Sequence, residues 1–275
     1  MTRRVAAILV AVLVALTSGC ELSQDDEMAP PPKRTVTKSP APAVPTKVPT
    51  GQGRVSPESA VWAQDSTLHF GTNEVDVSPL RIDSFVVVAG GVFFISRSEL
   101  WFTDLSRVRG TGFTGVTRVS TTADAGALRV ETDQGSAQVY AYDLGTGESM
   151  PAGEAVPATD ADLRGTPEQV VLRPGSSDGD PVDARRGPGR FGIVGGDGGQ
   201  LVVFDATTRM RVPLKGVVGA GFKLIRWQGR IAFFGLAVGE DGDPEAVMNC
   251  NLSSRSCTTL GKVVQGRSLV FESAA

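Results

Sequence analysis

A chain of 275 residues with a formal net charge of −3 and 41% hydrophobic residues is long enough for one large domain with a substantial core. It contains one histidine and three cysteines, too few ligands for a histidine-based transition-metal site. Beyond residue 57 it is mildly acidic, with no basic block and no interleaved aromatics, which argues against nucleic-acid binding.

Arg3 and Arg4 precede an unbroken apolar run from Val5 to Leu16, and Thr17, Ser18, Gly19 and Cys20 follow. A basic start, a short apolar stretch and small residues at the cut make the layout of a secretory signal. The run falls short of the about twenty residues a helix needs to cross a bilayer, so a retained transmembrane anchor is not expected. The stretch Leu16–Cys20 resembles the lipobox of bacterial lipoproteins, in which the cysteine is lipidated and becomes the new N-terminus. That resemblance implies loss of residues 1–19 and an acylated Cys20 held in the lipid bilayer on the extracytoplasmic face of the cell membrane. Stable anchoring takes more than one chain at about 0.8 kcal/mol per buried methylene, a condition a diacylated cysteine meets.

Residues 20–57 then read as a lipidated, proline-rich, disordered tether. Eight of the seventeen prolines fall between Pro30 and Pro57, where no aromatic residue occurs. Proline at this density favours extended chain, and a stretch without large apolar groups cannot offset its ordering entropy. Fully extended, it reaches roughly 80–100 Å from the membrane. Glu21, Asp25, Asp26 and Glu27 are followed by Lys33, Arg34, Lys38, Lys47 and Arg54 with no acid among them. Such a basic linker can lie against anionic lipid or wall polymer, each charge contributing at most about 1 kcal/mol.

From residue 58 to 275, short runs of Val, Phe, Ile, Trp and Tyr alternate with Gly, Asp and Ser turns, the pattern of an all-β domain. Expected strands include Phe85–Val88, Val92–Ile95, Leu100–Thr103, Leu128–Thr132, Gln138–Tyr142, Leu201–Phe204, Ile231–Phe234 and Ala246–Asn249. They repeat. ELWFTDLS (99–106), QVYAYDLG (138–145) and QLVVFDAT (200–207) share an apolar run closed by Asp and a turn, and AVMNCNLS (246–253) is a weaker copy. Their Asp or Asn residues stand at 104, 143, 205 and 251, and two of the three spacings lie near the roughly 40–45 residues of a propeller blade. The longest leaves room for an insertion within the loop-rich stretch 151–188.

This rhythm resembles the β-propeller superfamily, in the broad style of WD-repeat, TolB-like and quinone-dehydrogenase-like repeats. VWAQDSTLHFG (61–71) is similar to the first hairpin of propeller-like domains in exported actinobacterial lipoproteins. The resemblance implies a β-propeller-like domain of four to five blades, with the last strand, Ser268–Glu272, closing the ring beside the first. A β-sandwich is the alternative.

Cys250 and Cys257 flank a polar hexapeptide, and in an exported protein such a pair reads as a disulfide across a hairpin tip. His69 lies in TLHF, where alternation sets it opposite Leu68 and Phe70. It has no nucleophile-elbow pattern beside it, so it reads as structural. Asp178, Asp180 and Asp183, and likewise Glu240, Asp241, Asp243 and Glu245, fall short of a calcium-loop spacing and read as turns. GIVGGDGGQ (192–200) has no lysine or helix after it to hold a phosphate and reads as a β-turn. Trp62, Trp101 and Trp227 are expected between blades. The residues thus point to no metal, no cofactor and no catalytic set. The expected function is a non-catalytic binding module at the cell envelope, with an envelope protein or wall polymer as partner. The alternative is a secreted, glycosidase-like hydrolase using carboxylates in a propeller channel.

Overall fold

The computed structural model of the protein describes residues 44–135, 137–170, 182–194 and 201–272. The expected signal, Cys20 and the first part of the tether lie outside them. Runs that place Val, Ile and Phe on both faces become fully buried strands, as in SFVVV and GVFFIS, where nearly every residue is inaccessible.

The first three strands are β1 (Val61–Gln64), β2 (Thr67–Phe70) and β3 (Asn73–Asp76). The second sheet runs through β4 (Ser84–Val88), β5 (Gly91–Ser96), β6 (Glu99–Thr103) and β7 (Val108–Thr114). The third holds β8 (Val116–Thr121), β9 (Ala127–Thr132), β10 (Gln138–Asp143) and β11 (Ser149–Met150). A short helix, α1 (Asp160–Arg164), precedes the fourth sheet of β12 (Thr166–Val170), β13 (Val182–Arg186), β14 (Phe191–Val194), β15 (Val202–Asp205) and β16 (Met210–Val212). The fifth contains β17 (Gly221–Gln228), β18 (Ala232–Val238), β19 (Pro244–Asn251) and β20 (Ser256–Lys262). The final strand, β21 (Leu269–Phe271), pairs with β1, setting Trp62 opposite Phe271.

Each sheet is an antiparallel meander in chain order, and the first is completed by the last strand, in the order β21-β1-β2-β3. The sheets pack face to face. One apolar cluster joins the first and second sheets, another the second and third, another the fourth and fifth, and Trp62 with Phe234 and Phe271 joins the fifth back to the first. Five antiparallel meanders, four of their seams packed by these clusters and the first sheet completed by the terminal strand, make a five-bladed β-propeller-like arrangement, not the alternative β-sandwich. The long spacing from Asp143 to Asp205 is filled by α1 and by the extra strand β12 of a five-stranded sheet.

The inner strands run the same way. The Glu272 side chain, just after β21, accepts from the backbone N–H of Val87 near the end of β4 and pairs with Arg226 near the end of β17. Antiparallel alternation therefore places the first-to-second and third-to-fourth strand turns at one end of the ring, here called the upper end, and the remaining turns at the lower end. At the lower end the Val116 N–H that begins β8 donates to Ser98 in the β5–β6 turn.

Proline density assigns residues up to 57 to an extended linker, with the domain starting at Glu58. The arm from Val44 is extended but seated on the sheets. Lys47 bridges to Glu148, Val48 is 2% exposed within the cluster between the second and third sheets, and the Tyr142 hydroxyl donates to Pro45 O at 2.6 Å. Gly53 N–H donates to Gly90 O, and Gly90 N–H to Val55 O. A Cβ on Gly51 would lie 2.4 Å from Ala89 O, so the arm's approach to that turn requires glycine. The arm thus crosses the upper end over the second and third sheets.

Candidate functional site

The repeated Asp and Asn residues each close the turn into the outermost strand of their sheet. Asp104 Oδ1 accepts from Ser106 Oγ (2.6 Å), Ser106 N and Arg107 N, while its other oxygen meets Arg109 at 3.1 Å. Asp143 accepts from Thr146 N at 2.7 Å, Asp205 from Thr207 N at 2.9 Å, and Asn251 from Ser253 N at 2.9 Å. These are Asx turns, in which a short side chain satisfies backbone donors two or three residues on. The hydroxyl of Ser106, with backbone donors and Arg109, holds the Asp104 carboxyl below its ordinary value against the opposing effect of burial. Asp143 is likewise lowered, by the Thr146 backbone N–H first. Each carboxylate serves its own turn in a different sheet, so the three do not converge on a glycosidic bond.

His69 stacks on Trp62 with ring centroids 3.7 Å apart and stands 3.8 Å from Glu74. Burial lowers its pKa and Glu74 partly opposes this, so the imidazole is a neutral packing partner at pH 7. Trp62 packs between the fifth and first sheets, Trp227 between the fourth and fifth against Phe233, and Trp101 beside the cluster of the first and second. Glu240, Asp241, Asp243 and Glu245 bound a tight turn in which Asp241 caps Asp243 N. Among the described residues no three His, Cys, Asp or Glu side chains are grouped as metal ligands. Asp178, Asp180 and residues 195–200 of the glycine-rich stretch lie outside the described residues, as does Cys20; Asp183 falls in β13.

Cys250 and Cys257 are directly opposed on β19 and β20 and form a disulfide, with Cα atoms 4.0 Å apart. Both are buried in the core between the fourth and fifth sheets. The bond fixes the hairpin turn Leu252–Arg255 at the upper end, and that turn forms one wall of a cleft. Arg190, Phe191, Asp205 and Val212 of the fourth sheet face Ile231, Leu252, Ser253 and Arg255 of the fifth across a volume of about 320 Å³. Ala206 N–H donates to Arg190 O at 2.7 Å, joining the two upper turns of the fourth sheet. Lys215 N–H donates to Arg255 O at 3.0 Å, seating the next segment along the fifth. A second hollow of about 390 Å³ continues past Val212 along β16, lined by Leu201, Val203, Leu214 and Val217.

The cleft was not expected from sequence, although a signal was there. Between residues 184 and 239 lie nine Lys or Arg residues and two Asp, in a chain whose net charge is −3. Averaging over the whole domain concealed this local excess.

No protein-family model matches the chain, and a search of curated proteins returned no match. Among solved structures, TolB from Acinetobacter baumannii is similar at 16% identity over 76% of this chain and 54% of that one, with a TM-score of 0.27. The dihydro-heme d1 dehydrogenase NirN in complex with DHE is similar at 11% identity over 79% and 56%, with a TM-score of 0.28. The computationally designed Ika8 protein is similar at 10% identity over 74% and 57%, with a TM-score of 0.25. The chain spans little more than half the length of each. At such scores the fold assignment rests on sheet order and ring closure alone.

Proposed function

We propose that this chain is an exported lipoprotein, anchored through acylated Cys20 on the extracytoplasmic face of the cell membrane, whose propeller acts as a non-catalytic binding module at the envelope. The observation that carries the binding role is the cleft between the fourth and fifth sheets. It is concave, partly apolar, rimmed by arginine and braced by a disulfide, while the repeated carboxylates are each occupied by their own turns. A rigid surface of this kind suits recognition, which lives in the site and not in the fold. The disulfide also suits an oxidising compartment outside the cytoplasm. Actinobacterial-type exported lipoproteins are the group whose opening hairpin VWAQDSTLHFG resembles.

Fractionation of cells expressing the full chain tests the anchor. Washing membranes at about 1 M salt removes proteins held by charge alone, since screening there acts within about 3 Å. The parent chain is expected to stay with the washed membranes and Cys20→Ser to be released. Equal retention of both would sink the lipidated reading.

A further inference from the structure

The upper end of the propeller is divided in two. Over the second and third sheets it is covered by the arm, through Val48 on Gly147 and Gly53 on Gly90. Over the fifth sheet only Glu58 and Ser59 reach the upper end among the described residues, accepting from Gln228 and Arg226 beside the β17–β18 turn. The upper turns of the fourth and fifth sheets carry Arg209, Arg230 and Arg255, all exposed and none in an ion pair among the described residues. Lys215 lies beside Arg255. Met210, 53% exposed, and Ile231, 44% exposed, stand among these cations. Two acids border the surface. Asp205 is buried and held by Arg190 at 3.4 Å, and Glu58 lies toward the first sheet near Gly229.

The backbone adds an independent observation. The turns after Asp143, Asp205 and Asn251 each reach a left-handed residue four positions on: Gly147 (φ 77°), Arg209 (φ 54°) and Arg255 (φ 52°). A left-handed conformation costs a side-chain-bearing residue roughly 1–2 kcal/mol, which glycine avoids. The third sheet uses glycine there, whereas the fourth and fifth place arginine. Arg97 of the lower β5–β6 turn is also left-handed (φ 52°), but Arg209 and Arg255 stand at equivalent positions of two neighbouring turns and both present a cation to solvent. At the lower end, the described turns and connections carry Asp65, Asp83, Asp133, Glu240, Asp241 and Asp243 against Arg81, Arg97 and Arg267, the last 3.8 Å from Asp65. Asp124, Asp143 and Glu148 are exposed at the upper end of the third sheet, so the contrast in charge is between the upper turns of the fourth and fifth sheets and the lower end.

We infer that the arginine-bearing upper turns of the fourth and fifth sheets dock on an anionic phospholipid surface. Each Lys or Arg held near such a surface contributes about 1 kcal/mol, and exposed aliphatic tips among cations gain from the interfacial layer, as they would not from a soluble polyanion. The acidic lower end is repelled, which orients the ring. This inference deepens the lipid-anchored reading and rests on it for local concentration: a chain tethered through Cys20 meets headgroups at effectively millimolar levels, so weak docking suffices. The arm, the first described segment after the tether, lies on the same end.

The test uses the whole mature chain from residue 20 with Cys20→Ser, so that acylation plays no part. Co-sedimentation is measured with phosphatidylcholine vesicles, with and without about 30% phosphatidylglycerol. Binding is expected only where phosphatidylglycerol is present, falling steeply as salt rises. Arg209→Glu, Arg230→Glu and Arg255→Glu together should weaken it about tenfold or more at an unchanged thermal midpoint. Met210→Ser with Ile231→Ser should weaken it while leaving the salt dependence intact. If the triple variant melts early, Arg209→Gln with Arg255→Gln takes its place. Equal binding to both vesicle types, arginine variants that bind like the parent, or binding to soluble polyglutamate without vesicle binding would each overturn the inference. Because Cys20 is absent throughout, failure here leaves the anchor standing, and failure of the anchor leaves vesicle binding to be judged by itself.

Discussion

The carboxylate of Glu272 touches three sheets: it follows the strand that closes the first, accepts from Val87 N in the second and pairs with Arg226 of the fifth. Arg226 also donates to Ser59 O at 2.6 Å and lies over the Phe234 ring. Burial pulls its pKa down to about 10, which the charge of Glu58 partly opposes, so it is a cation at pH 7. Removing one member of a buried pair strands the other. Glu272→Gln, which keeps an acceptor for Val87 N, should lower unfolding free energy by about 3–5 kcal/mol in urea titrations, and adding Arg226→Met should recover part of it. An unchanged midpoint for Glu272→Gln would mean that the pair does not hold the ring closed. The Asx turns predict a pH dependence of a different kind. The folded-state pKa of Asp104 lies below its unfolded value, so its contribution is present above about pH 4 and is lost as pH falls through the folded value. Asp104→Ala should cost about 1–3 kcal/mol at neutral pH. The deficit should shrink on acidification below the ordinary carboxylate range, and a deficit that stays constant across a pH series of thermal melts would contradict it.

Two elements mark the limits of what could be read from the chain. The hairpins were legible because strand alternation and Asx-turn chemistry are local: Asp104, Asp143, Asp205 and Asn251 announce their turns from within a few residues. The Cys250–Cys257 disulfide was legible for the same reason, since its partners are opposed across one hairpin. The arm was not. Its prolines exclude helix and sheet, but Val48 and Val55 find slots in the clusters of the second sheet with its neighbours, and composition does not encode that fit. The Arg226–Glu272 pair was equally hidden, because 46 residues separate its members and only ring closure brings them together. For the disulfide hairpin, replacing both cysteines by Ala should cost about 2–3 kcal/mol from the small loop released. It should also loosen the cleft wall at Leu252–Arg255, seen as faster amide exchange confined to that turn; uniform exchange throughout the fifth sheet would contradict this.

At the scale of the whole molecule, the architecture and the charge distribution tell one story. A terminal strand closes five sheets into a ring, an arm straps the upper end over two of them, and the remaining upper turns expose arginines opposite an acidic lower end. The net charge of the chain, −3, does not reveal where these charges sit. Such polarity suits a domain kept near an anionic surface by a lipid, and it makes the fate of Cys20 the point on which the account turns. The intact mass of the mature protein purified from membranes is the direct measurement. The account predicts a chain that begins at Cys20, has lost residues 1–19 and carries the added mass of a diacylated thioether. An unmodified N-terminus, at Cys20 or any other residue, would contradict it.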